Sequence, residues 1–135
     1  MGAIQKLKGI LTNHSETREN HSDEDLRSRY YKTTNKNAMK ALQEMFKNMD
    51  GVTVKSVSEE HGEIAVQVTK GRKAFVIVTV ISVRPFETAV DFSVTTDTKL
   101  IPFDFGYSRL LIKQMYDRVD KSIIYIGSGL NSEKK

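Results

Sequence analysis

The sequence predicts an α+β domain built as one antiparallel sheet with helices packed on one face, in the order strand, helix, four strands, helix. Three observations carry this prediction. Residues 36–49 repeat their apolar side chains with a helical period. Residues 52–96 switch to a period of two and are interrupted by turn residues. A second helical pattern then runs over 105–120.

The first strand is expected at Arg27–Lys32. Thr33, Thr34 and Asn35 follow it and offer side-chain oxygens to the free amides of a helix start. In the helix over 36–49, Ala38, Leu42, Met45, Phe46 and Met49 form one stripe with Ala41 beside it. Lys40, Gln43, Glu44 and Lys47 face water, and Asp50-Gly51 ends the helix. Val52–Val57 then reads as a strand, and Glu60-His61-Gly62 as its turn. In 63–69, Ile64, Val66 and Val68 alternate with Glu63 and Gln67, as a half-buried strand requires. Gly71-Arg72 and Arg84-Pro85-Phe86-Glu87 bound the next strand. Thr88–Thr96 alternates again, with Val90, Phe92 and Val94 on the buried face. In the second helix Leu111, Met115 and Val119 head a broad apolar face, and Ser122–Ile126 is a short apolar return. The domain is therefore placed at 26–126. Residues 1–25 are read as an amphipathic segment and mobile linker, and 127–135 as a polar tail. The element order resembles that of the TATA-binding-protein-like group, a likeness of order only that transfers no function.

The strand over 74–81 breaks the alternation of its neighbours. Phe75, Ile77 and Ile81 share one face, and Val76, Val78 and Val80 the other. Helices on one side of a sheet cannot cover both. Val76, Val78 and Val80 are accordingly expected to form an exposed partner surface, covered by a second copy, by the N-terminal segment or by another protein. A homodimer is the expected outcome, because closed two-fold pairing is the commonest solution.

Composition excludes several chemistries. With no cysteine there is no disulfide, thiolate nucleophile or zinc finger, which fits a reducing compartment. His14, His21 and His61 have no metal-ligand spacing. Neither a metal nor a cofactor is expected. Lys and Arg number 21 against 17 acidic residues, an excess of +4 too mild and too spread to single out nucleic acid. Arg72, Lys73 and Arg84 at the strand turns are the candidate contacts for an anionic ligand. No apolar run approaches the roughly 20 residues of a membrane span, and no secretory signal is visible. The expected location is cytoplasmic. A peripheral contact with the inner membrane face is the further expectation, made by Ile4, Leu7, Ile10 and Leu11 on one face of residues 1–11, with Lys6 and Lys8 off it.

Two acidic features invite catalytic readings. Asp104-Phe105-Gly106 spells the metal-binding tripeptide of protein kinases, but the Gly-rich loop and catalytic-loop motif are missing. Asp104 reads better as the cap of the second helix. Asp91, Ser93, Thr95 and Asp97 share one face of the last strand of the meander. At about 3.3 Å per residue the two carboxylates stand roughly 20 Å apart, too far to share a proton or a metal. No catalytic residue is nominated.

Residues 26–126 resemble a small bacterial family of cytosolic proteins of unknown function. The likeness rests on Arg27-Ser28-Arg29-Tyr30-Tyr31, Ser58-Glu59-Glu60-His61-Gly62-Glu63, Ser82-Val83-Arg84-Pro85-Phe86, Ala89-Val90-Asp91-Phe92-Ser93-Val94-Thr95 and Phe103-Asp104-Phe105-Gly106-Tyr107-Ser108. Asp104-x-Gly106-x-x-Arg109 also resembles a broader domain-of-unknown-function family of bacteria and plants. These likenesses imply the fold and no catalytic residue. The function expected is a non-enzymatic binding or scaffolding module that self-associates. The alternative is a small-molecule or lipid carrier with its pocket between sheet and helices.

Overall fold

The computed structural model describes residues 14–71, 73–96 and 107–128. Seven strands and two α-helices follow one another as β1 (His14–Glu16), a 3-10 turn (Glu24–Leu26), β2 (Arg29–Tyr31), α1 (Asn35–Lys47), β3 (Val52–Ser58), β4 (Glu63–Val68), β5 (Ala74–Arg84), β6 (Glu87–Thr96), α2 (Tyr107–Ser122) and β7 (Tyr125–Ser128). The architecture is the α+β one predicted. The strands lie in the order β3-β4-β5-β6-β2-β7, and every strand pair is antiparallel.

Local chemistry explains the element ends. The Thr34 hydroxyl accepts from the Asn37 amide at 3.1 Å and so caps α1. Gly62, with φ 66°, turns β3 into β4. A Cβ there would stand 2.3 Å from the carbonyl oxygen of Val80, so the turn needs glycine both for its backbone and for its space. Asn35 holds α1 to the same place, donating from Nδ2 to the Val80 carbonyl at 3.1 Å.

Both helices press on one sheet face. Ala38, Met39, Leu42, Met45 and Phe46 of α1 and Leu111, Ile112, Met115, Tyr116 and Val119 of α2 enclose a single core with Ile64, Val66, Val76, Val78, Val90, Phe92 and Val94. Met39, absent from the predicted stripe, is buried because α1 also leans on α2.

Three predictions need correction. Residues 127 and 128 are not part of a tail, since Gly127 and Ser128 belong to β7 and pair with Tyr30 and Arg29. Residues 14–25 are not a linker. Ser15 pairs with Val94 through β1, Thr17 donates its amide to the Phe92 carbonyl at 2.8 Å, and Leu26 is buried. Their lack of hydrophobic period follows from how they are held, by backbone pairing and polar side chains. The globular unit therefore includes residues ahead of Leu26. The partner surface is also reversed. Val76, Val78 and Val80 are 0%, 0% and 2% exposed, because the register sets them beside Val66, Ile64 and Val90, whose side chains face the helices.

Candidate binding surfaces

The uncovered face of β5 is where the apolar excess emerges. Phe75, Ile81 and Val83 are 40%, 48% and 47% exposed, and Ile77 between them is half-buried. Gln67 and Thr95 flank Phe75, Ala65 and Ser93 flank Ile77, and Glu63 and Asp91 flank Thr79 in the middle of the row. Apolar side chains thus recur over roughly 26 Å along one strand, interrupted by Thr79.

The two ends of this stripe differ in shape. At one end β5 runs past β4, which pairs with it only as far as Thr79, so Ile81 and Ser82 are held by β6 alone and the hairpin at 83–86 extends beyond the neighbouring strands. Phe86 tips this hairpin with φ 59° and is 65% exposed. A bulky residue in the left-handed region is strained, and Pro85 before it supplies the fixed φ of the preceding turn position. The other end is a hollow of about 440 Å³ beside Phe75, lined also by Gln67, Lys73 and Thr95. The stripe therefore has a knob at one end and a recess at the other.

A second surface lies at the β3 edge. Between α1 and β3 runs an open groove of about 630 Å³, with Val52 and Val54 as its floor and Lys36, Lys40 and Lys47 along its helical wall. Glu44 and Glu59 also line it. β3 pairs with β4 alone among the described residues, and its register shifts between Val54 and Ser56, at Lys55.

The titratable groups are engaged in holding the fold. Arg109 of α2 grips the N-terminal segment, with Nε 2.5 Å from Asp23 and an Nη 2.5 Å from Asp25, and the hydrogen bond to Asp23 leads the causes that raise its pKa. Arg29 reaches Asp120 at 2.6 Å and lies over the Tyr116 ring, 4.5 Å from its centre. Tyr31 donates to Asp120 at 2.7 Å, and Tyr116 donates to the Val90 carbonyl at 2.6 Å. Burial raises both phenols far above their ordinary range, Asp120 adding to the effect at Tyr31 and Asp91 at Tyr116. Held protonated, they serve as hydrogen-bond donors and not as bases. Asp91 accepts from Thr17 at 2.6 Å and from Ser28. Every buried side-chain nitrogen and oxygen of the described residues has a partner, and no three of their acidic or imidazole groups could hold a metal ion.

The anionic-ligand set predicted from sequence does not assemble. Lys73 and Arg84 stand at opposite ends of β5, roughly 36 Å apart along the strand, and Arg84 bridges to Glu87 at 2.8 Å. Arg72, Asp97, Asp104 and the proposed membrane helix with Ile4, Leu7, Ile10 and Leu11 lie outside the described residues. At the centre of the core none of Tyr31, Met39, Phe46, Phe92, Met115 and Tyr116 is more than 1% exposed, and the space between helix and sheet is the α1–β3 groove. No helix among the described residues is long and apolar enough to cross a membrane. No family model, curated protein or solved structure matches the chain.

Sequence reasoning passed over the Arg109 grip and the Phe86 knob. Arg109 was legible only as part of a motif, because its acidic partners are 84 and 86 residues away. The Pro85-Phe86 pair was legible as a turn, though nothing local marks the phenylalanine as uncovered.

Proposed function

We propose that this protein is a non-enzymatic binding module that acts as a homodimer, with the helix-free face of its sheet as the contact. The observation that carries this reading is the row Phe75, Ile77, Ile81 and Val83, partly or largely exposed on a face where the neighbouring strands present no large apolar side chain beside Phe75 and Ile77. Two features favour a second copy as the occupant. Sheets pack face to face about 10 Å apart with strands nearly aligned, which suits a long straight stripe. A two-fold axis near Val80 also sets each Phe86 knob toward the recess beside the other copy's Phe75, the midpoint of the two residues along β5. Each copy then supplies what the other lacks.

Multi-angle light scattering tests the reading. Wild-type protein should elute at twice the chain mass, and Ile81→Asp or Phe86→Ser should elute as folded monomers. Wild-type protein that stays monomeric up to about 100 μM, a concentration at which a contact worth roughly 8 kcal/mol would be populated, overturns it. A shortened chain lacking residues 1–13 separates intermolecular pairing from coverage by the chain's own N-terminus. If only the shortened protein dimerises, the N-terminus is the occupant and the homodimer reading fails.

A further inference from the structure

We propose that the groove between α1 and β3 receives an extended acidic peptide, which adds to the sheet as a strand alongside β3. This surface lies on the helical side at the β3 edge, with β4 between it and β5, so the inference is independent of the dimer.

The first support is the strand edge. β3 has a partner on one side only among the described residues, so its outward amides and carbonyls are available to a further strand. The second is the shape. A helix beside a free edge leaves a slot whose floor continues the inner sheet face, here Val52 and Val54. The third is charge and its spacing. Lys36, Lys40 and Lys47 line the helical wall and make no ion pair among the described residues. Lys36 and Lys40 are separated by about 6 Å along the helix axis at 1.5 Å per residue. Alternate side chains of a strand recur every ~6.7 Å. Acidic residues at two alternate positions of an added strand therefore meet Lys36 and Lys40. The next alternate position, about 13 Å from the first, meets Glu44, which stands about 12 Å from Lys36 along the helix and ahead of Lys47. Glu44 and Glu59 thus limit length and composition, since a uniformly anionic chain meets them as well. The occupant is short and extended, with two acidic residues at alternate positions and none at the next.

Lysines and bulges on an edge strand also discourage pairing with other sheets. That role asks only for charge at the strand, as at Lys55. It does not ask for a pair of lysines on the helix at strand spacing.

Fluorescence anisotropy with labelled, end-blocked peptides tests the proposal on the full chain. The probe is Thr-Glu-Thr-Glu-Thr, whose pattern reads alike in both directions. The controls are its block isomer Glu-Glu-Thr-Thr-Thr and a version N-methylated at alternate amides. The alternating peptide should bind saturably, at least tenfold more tightly than the block isomer. N-methylation in one of the two alternate registers should weaken it at least tenfold. Lys40→Glu should weaken binding at least tenfold and Lys113→Glu, on exposed α2, less than twofold, with unchanged circular dichroism in both. Equal binding of the block isomer, or indifference to N-methylation in both registers, would show a general polyanion surface and overturn the proposal. So would the absence of saturable binding at about 1 mM peptide.

Discussion

The two faces of β5 are made of nearly the same material and meet opposite fates. Val76, Val78 and Val80 are sealed under the helices, whereas Phe75, Ile81 and Val83 on the reverse remain 40–48% exposed. Intrinsic hydrophobicity does not separate them, since phenylalanine and isoleucine are at least as apolar as valine. What separates them is the company they keep. The valines align in register with Ile64, Val66, Val90 and Phe92, and the reverse face aligns with Gln67, Ala65, Ser93 and Asp91. A helix packs where several strands offer apolar groups together, and one strand alone does not attract it.

The sharpest way to break this comparison is to put the same charge on each face. Val78→Asp places a carboxylate in a fully buried position without a partner. It should cost about 4 kcal/mol or more and abolish the cooperative urea transition near room temperature. The same substitution would yield a tidy monomer if the valines were the exposed face, so its outcome discriminates between the two arrangements.

A smaller loss is expected where the N-terminal segment joins α2. Breaking an ion pair from one side costs about 3–5 kcal/mol when both charges are deeply buried. Asp23 is 7% exposed, but Arg109 is 34% exposed and water can replace part of the contact. Arg109→Ala should therefore lower the unfolding free energy by about 2 kcal/mol, read from urea titration. Arg109→Lys should recover part of it. A change below about 0.5 kcal/mol would mean that residues 14–25 add little to the fold.

The same segment carries a pH response. His21 Nδ1 accepts from the Asp23 amide at 3.0 Å, which requires an unprotonated nitrogen. Burial is the first cause lowering its pKa below the ordinary 6.5 and Arg18 the second, with Arg27 also lowering it and Asp23 and Glu16 opposing. The unfolded chain consequently takes up this proton before the folded one does. Stability from this group is present above 6.5 and falls as the pH drops from there toward the lower folded value. His21→Asn keeps an acceptor and cannot titrate, so its melting temperature should drop less than wild type between about pH 7 and about pH 5. Equal drops would remove His21 from the account.

The smallest effect on stability belongs to the exposed face. Ile81→Asp should shift the monomer's unfolding free energy by no more than about 0.5 kcal/mol while shifting the association state. A large loss of monomer stability would mean that something in the same chain covers Ile81.

Much of this architecture was legible in residue order. The turn from helical period to period two after Gly51, the Thr34 cap and the α2 face of Leu111, Met115 and Val119 all rest on interactions within a few residues, and local chemistry settles those. Residues 14–25 were misread because their order comes from remote partners, as in the contact between Ser15 and Ser108 hydroxyls at 2.8 Å. Ser, Thr, Glu and Asn there look like solvent-facing loop until those partners are known. The candidate surfaces were less legible still. The α1–β3 groove exists because β3 runs back along the helix that precedes it, and the recess beside Phe75 exists because β4, β5 and β6 converge there.

The sequence by itself determined the two helices and the strands of 52–96, and that β5 is apolar on both sides, because backbone propensity and side-chain alternation act over a few residues. Only the tertiary structure decided which side of β5 the helices take, and which charges become grips on the fold. Both depend on register between strands and on contacts between residues far apart in the chain, from 63 positions for Ser28 and Asp91 to 91 for Arg29 and Asp120. There the free energy belongs to the assembled layer and to no single stretch of chain.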